Sequence, residues 1–157
     1  MNGGPLVLTI NPGSTSTRLA LYRGRDRIAE EELSHPSLAA DESTVWEGRG
    51  ARVDAVREFL TRRDIDPSDL DAVVGRGGLL RPLEGGTYRV TDLMLADARA
   101  ELRGRHPSNL GCGLAAAIAG PVGIPAFVVD PVSVDESEEL ASFSGLAGID
   151  RHTLSHA

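Results

Sequence analysis

Asn11-Pro12-Gly13-Ser14-Thr15-Ser16-Thr17 lies between two apolar runs, Leu6-Val7-Leu8-Thr9-Ile10 and Leu19-Ala20-Leu21-Tyr22. Each run has the length of a strand and the link is short, which is the pattern of a β-hairpin. Pro12 fixes φ, and Gly13 lets the chain bend without a Cβ clash. The hydroxyls of Ser14, Thr15, Ser16 and Thr17 crowd one end of the sheet. A turn with converging donors, and no acidic side chain to repel an anion, suits a phosphate. The same residue types also serve as plain turn punctuation, so the heptad takes its meaning from its surroundings.

Outward from the turn, the pattern predicts strands over 5–11, 17–22 and 27–33, joined in an antiparallel meander by the polar turn Arg23-Gly24-Arg25-Asp26. A Ser-, Pro- and acid-rich loop follows over 34–44. A helix is expected over 45–63, with Trp46, Arg49, Val53, Val56, Phe59 and Leu60 inward, Arg52, Asp54, Arg57 and Glu58 elsewhere, and Pro67 barring its continuation. Asp71-Ala72-Val73-Val74 reads as a buried strand running into Gly75-Arg76-Gly77-Gly78, and 85–91 as a short extended piece. Thr91 or Asp92 caps a helix to about 103, with Leu95, Ala98 and Leu102 inward. Ser108 or Asn109 caps another to about 119, with Leu110, Leu114, Ala117 and Ile118 on one face. Ala126-Phe127-Val128-Val129 is the next strand and ends at Asp130-Pro131. The run Asp135-Glu136-Ser137-Glu138-Glu139 reads as a solvated helix start. No repeat or linker divides the chain, and a single α/β domain over 1–157 is expected.

At 157 residues, such a domain buries roughly 70% of its unfolded surface and needs no disulfide or metal staple. A net charge of −7 argues against a nucleic-acid partner, which requires a basic face, but leaves room for a small anion held by one or two local arginines. The lone Cys112 permits no internal disulfide, fits a reducing compartment and reads as a small buried hydrophobe. The first residues lack the basic and apolar regions of a signal peptide, and no apolar stretch reaches the length of a membrane span. A soluble cytoplasmic chain without a membrane partner is expected.

Four polar sites follow strands or open helices: the turn at 11–17, Arg76, His106 to Asn109, and Asp130. Ligands in open α/β sheets lie beyond strand ends, and helix N-termini attract anions. A fold that joins these four makes an anion pocket with a guanidinium, an imidazole and neutral donors. Taken singly, each has a plainer reading: Arg76 as a solvated turn residue, His106 as a loop histidine before Pro107, Asp130 as a strand-ending turn. His152 and His156 are spaced to share a helix face, but no third metal ligand is evident.

In order, these blocks resemble one family. Val7 to Thr17 is similar to the opening of the butyrate kinases, as are Ala72 to Leu80 followed by Gly85-Gly86-Thr87-Tyr88. His106-Pro107-Ser108-Asn109-Leu110-Gly111, Ile124 to Val132, and the closing Arg151 to Ala157 resemble further segments. That family is similar to acetate kinase, within the superfamily of actin, sugar kinases and Hsp70 ATPase domains. The acetate kinases share the Asn-x-Gly-Ser turn but tend to lack the Arg-Gly-Gly-Leu-Leu and Ser-Asn-Leu-Gly blocks. The family usually has a small residue at the place of Pro107 and an aromatic at that of Ser155.

The resemblance implies a ribonuclease-H-like domain with a mixed sheet flanked by helices, one half of a two-domain acyl kinase in the acetokinase family. The implied reaction is phosphorylation of butyrate, or a related short-chain carboxylate, by ATP with Mg²⁺. It places Asn11, Gly13, Ser14 and Ser16 at the phosphate end, with Asn11 toward the metal. Arg76 holds the carboxylate and the moving phosphoryl, His106 donates to a phosphoryl oxygen, Asp130 orients a guanidinium or a metal-bound water, His156 contacts the phosphoryl group, and Asn109 is a further binding residue. Family members are considerably longer. The chain is therefore expected to be an N-terminal half without the nucleotide-binding domain, inactive alone, whose partners are the missing half or a second copy. A non-catalytic anion- or partner-binding module of the same fold is the alternative.

Overall fold

The computed structural model describes residues 3–35, 45–134 and 138–150. Thus His152, His156, Arg151 and Ser155, the 36–44 part of the loop, and Asp135 to Ser137 lie outside the described residues.

The chain runs β1 (Leu6–Pro12), β2 (Ser16–Arg23), β3 (Asp26–Ser34), α1 (Arg49–Thr61), β4 (Ala72–Arg76), β5 (Thr87–Arg89), α2 (Asp92–Arg99), α3 (Leu110–Ala119), β6 (Ala126–Val129) and α4 (Glu139–Ser142). One six-stranded mixed sheet results, in the order β3-β2-β1-β4-β6-β5. β1, β2 and β3 form the expected antiparallel meander, with Pro12 opposite Thr17 at the hairpin end. β4 lies parallel to β1, and β6 parallel to β4. The extended piece at 85–91 proves to be an antiparallel edge strand, pairing Thr87 with Val129.

Period-two alternation sends Leu6, Leu8 and Ile10 to one face of β1. There they pack with Leu19 and Leu21 of β2, Val53, Val56, Phe59 and Leu60 of α1, and Leu110, Leu114 and Ile118 of α3. A second cluster joins Leu80, Ala98 of α2, Cys112 of α3 and Val128 of β6. Val128 is in register with Gly75, which abuts α3, so α2 extends the same helical layer. No helix among the described residues is long and apolar enough to cross a membrane.

Several expectations change. α1 ends at Thr61, and Asp64, at φ 53°, turns the chain before Pro67 is reached. Pro67 instead opens a 3-10 turn in which Asp66 accepts from the Ser68 N–H and Asp69 from the Asp66 N–H. The next helix stops at Arg99; the chain reverses at Glu101, φ 49°, and leaves Leu102 56% exposed, not inward. Thr91 is its cap, as expected, through a bond from the Met94 N–H. Gly13 is not required for its backbone freedom: its φ is not positive, and an added Cβ meets only ordinary contacts. Arg52, expected elsewhere than on the inner face of α1, is 3% exposed.

Candidate functional site

The C-terminal ends of β1, β4 and β6 collect at one end of the sheet, and the glycines of Gly75-Arg76-Gly77-Gly78 explain how closely. A Cβ on Gly75 would overlap the Gly111 backbone, one on Gly77 would overlap Pro131, and one on Gly78 would overlap Asn109. None of the three has positive φ. They are there because the start of α3 and the end of β6 press against this strand end. Arg76 is the one residue of the four to carry a side chain into the space that remains.

That space is two adjoining clefts. The first, about 320 Å³, is lined by Asn11, Arg76 and Asp130 with Thr9, Val74 and Val129. The second, about 420 Å³, is lined by Asn11, Gly13, Ser14 and Ser16 of the hairpin end, with Arg76 and His106. Asn11 and Arg76 belong to both. The fold therefore brings together Asn11, Gly13, Ser14, Ser16, Arg76, His106 and Asp130, from four separate segments.

His106 precedes the 3-10 turn Pro107–Asn109, and its Nδ1 accepts from the Ser108 backbone N–H at 3.2 Å. The Ser108 hydroxyl lies 2.5 Å from the same nitrogen. With Nδ1 accepting, the neutral ring carries its hydrogen on Nε2. Asp130 sits at φ 38°, an uncommon value for a residue with a side chain. Its Oδ1 accepts from the Gly86 N–H at 2.7 Å and its own N–H donates to the Gly86 carbonyl, so the β5 side of the sheet fixes it.

Two expectations about the site are corrected. Asn109 lines neither cleft. It is buried, its Oδ1 accepts from the Leu79 N–H at 2.8 Å, and its Nδ2 donates to the Gly104 carbonyl at 2.9 Å. Both ends of the amide are spent on tying two loops together. The turn is also not clear of acidic groups: Glu32 of β3 lines the second cleft, where the Ser16 hydroxyl donates to it at 2.7 Å and Arg18 pairs with it at 3.1 Å. The Ser16 and Arg18 bonds hold the Glu32 carboxyl below its usual range.

Arg52 and His35 escaped the sequence reading. Arg52 donates to the carbonyls of Gly13, Ser14 and Ser16 and to Thr17 Oγ1. His35 Nε2 lies 3.1 Å from the same hydroxyl, and burial, then the nearby Arg52, push its pKa down. The signal for Arg52 was present: residues 52, 56 and 59 share one face of a helix. Cys112 is buried as expected, and burial raises its thiol to about 11.

No family model matches the chain. Among curated proteins, a probable butyrate kinase of Listeria innocua is 50% identical over 152 residues, and butyrate kinase 2 of Clostridium acetobutylicum 43% identical; each match takes in 96% of this chain. The chain spans 43% of the length of either relative. Among solved structures, acetate kinase of Porphyromonas gingivalis superposes with a TM-score of 0.59 at 17% identity, over 92% of this chain and 42% of that one. Acetate kinase of Entamoeba histolytica gives 0.54 at 12% identity, over 91% and 39%. These two likenesses establish the fold. The chain is thus similar in sequence to the butyrate kinases and like the acetate kinases in fold, and it spans less than half the length of these relatives.

Proposed function

We propose that this chain is the carboxylate- and phosphoryl-binding part of an ATP-dependent carboxylate kinase, with butyrate or a related short-chain acid as acceptor. The observation that supports this best is that Asn11 and Arg76 are common to two adjoining clefts, so turn donors, His106 and Asp130 surround one guanidinium. In the reaction a carboxylate oxygen bonds to the γ-phosphorus of ATP, the bond to the β-bridging oxygen breaks, and acyl phosphate and ADP leave.

The acceptor is ionised at neutral pH and needs no base. The difficulty is bringing anions together, and positive charge with fixed donors offsets it. Arg76 holds the carboxylate and the moving phosphoryl in its planar fork. His106 donates from Nε2 to a phosphoryl oxygen, Ser14 supplies donors at the phosphate end, Ser16 joins it once its hydroxyl turns from Glu32 to the anion, and Asp130 orients a guanidinium or a bound water. His156, through the resemblance of its segment, contacts the phosphoryl group. Asn11 and Asp130, two oxygen-bearing side chains on one cleft, suit a magnesium ion that keeps most of its shell as water and phosphate. Such an ion, when bound, neutralises phosphate charge. Among the described residues no three acidic, His or Cys side chains gather into an all-protein cage.

Because the chain spans 43% of its relatives, the adenosine pocket is assigned to the remainder of their length, and the chain alone is expected to bind anions with little turnover. Calorimetric titration with butyryl phosphate tests this. Saturable binding to the wild type, weakened about tenfold or more in Arg76→Gln, supports it; no binding, or equal binding in both, overturns it. The same coverage favours one alternative, a non-catalytic anion- or partner-binding module. Supplying the remainder of a relative in trans separates the two, since only the kinase then releases ADP in the presence of butyrate.

A further inference from the structure

Arg52 is a buried cation with no counter-ion among the described residues. Its Nη1 donates to the Ser16 carbonyl and to Thr17 Oγ1, both at 2.7 Å; its Nη2 donates to the carbonyls of Gly13 at 2.9 Å and Ser14 at 3.0 Å. Nε has no partner. Among the described residues no carboxylate pairs with it, and burial alone lowers its pKa. Holding a guanidinium in the interior on neutral oxygens is unfavourable unless something offsets it.

The peptide geometry of the turn shows what that could be. The described residues contain no cis peptide, and in a trans unit the N–H points opposite to the C=O. The Gly13 carbonyl shares its unit with the Ser14 N–H, and the Ser14 carbonyl with the Thr15 N–H. Drawing those oxygens onto Arg52 turns the N–H groups of Ser14 and Thr15 away from it. Gly13 and Ser14 line the cleft with Arg76 and His106, whereas Arg52 does not line it. The turn is therefore a partition, with the guanidinium behind it and the cleft in front.

We propose that Arg52 is the positioning residue of the β1–β2 turn: it grips the carbonyls of Gly13, Ser14 and Ser16, aims the N–H groups of Ser14 and Thr15 at the cleft as an anion-binding pair, and finds its counter-charge in the phosphoryl anion bound there. The inference rests on the carboxylate-kinase reading and concerns the phosphoryl end of that site. Convergent backbone N–H groups make an anion concavity, and a desolvated charge behind them acts through a medium of low dielectric.

Titrating the 157-residue chain with inorganic pyrophosphate, followed through amide proton shifts, tests this. Saturable shifts are expected at the Ser14 and Thr15 N–H groups, with affinity reduced about tenfold or more in Arg52→Met. Leu60→Ala, a core change that also lowers thermal stability, is expected to keep wild-type affinity, so that lost stability does not account for lost binding. Arg52→Lys, which keeps the charge without the fork, recovers part of the affinity. Thr17→Val, which removes one acceptor of Nη1, weakens binding severalfold and decides the matter should Arg52→Met fail to fold. Equal affinity in wild type and Arg52→Met, or in wild type and Thr17→Val in that event, overturns the proposal and leaves the reading of the cleft standing. Pyrophosphate shifts confined to the surroundings of Arg76 and His106 do the same. If pyrophosphate binds nowhere in the wild type, the carboxylate-kinase reading falls together with the role given to Arg52.

Discussion

Gly75 and Gly111 meet backbone against backbone, and a Cβ on either would overlap the other strand or helix. This approach sets α3 on β4 and so decides how far the His106 turn stands from Arg76. Gly111→Ala must push α3 outward or distort Arg76. A loss of about 1–3 kcal/mol in urea unfolding is expected, the usual cost of overpacking a tight interior. Anion affinity should fall as well, because the two sides of the cleft separate.

Glu32 faces the same cleft as Arg76 and is tied to Ser16 and Arg18. Its carboxyl lies below its usual range, held there by the Ser16 hydroxyl first and Arg18 second. It is therefore ionised across the neutral range, opposes an incoming anion and occupies the Ser16 hydroxyl. Glu32→Gln should tighten phosphate binding by roughly two- to fivefold at low salt and less at high salt, where exposed charges are screened. Calorimetry at two ionic strengths checks it.

The meander and the parallel strands were legible because Leu6, Leu8 and Ile10 alternate with half-buried residues, and α3 because its alanines and glycines announce close packing. The cleft lining was legible as strand ends, the hairpin turn and one loop histidine, His106. Arg52 was not, because a charged residue on an amphipathic helix reads as solvated, and its partners are carbonyls more than thirty positions away. Glu32 needed the β2–β3 register, which puts it opposite Arg18. Asn109 had the right residue type in the right motif; only the folded positions of Leu79 and Gly104 show that its amide is already engaged.

Asn109 gives a direct check on that point. Replacing it by Ala strands the Leu79 N–H and the Gly104 carbonyl, at a cost of about 1–3 kcal/mol. Thermal stability should fall, while butyryl phosphate affinity at a temperature where the variant is folded stays near wild type. A selective loss of affinity without a loss of stability would return Asn109 to the binding site.

Cys112 is 2% exposed, and burial raises its thiol to about 11. The thiolate is the reactive form, so the native chain should leave a disulfide reagent such as Ellman's unreacted on the minute timescale at neutral pH. Denaturation should expose one thiol per chain. Rapid reaction in the native state would place the thiol at the surface and contradict the packing of α3 on β6.

His35 lies against Thr17 beside Arg52, and burial first, then the Arg52 charge, lower its pKa from the ordinary 6.5. The unfolded chain takes up this proton at higher pH than the folded one, so between the two pKa values the unfolded state binds more protons and stability rises with pH. The contribution is complete above 6.5, is lost progressively as pH falls below it, and levels off under the folded pKa. Urea unfolding across about pH 5 to 8 should show this slope, and His35→Gln, which keeps a polar contact for Thr17 without a titrating group, should flatten it. Protonation also sets a second cation beside Arg52. The anion should oppose that destabilisation if Arg52 takes it as counter-charge, so the slope in the wild type should be shallower in pyrophosphate than in chloride of equal ionic strength.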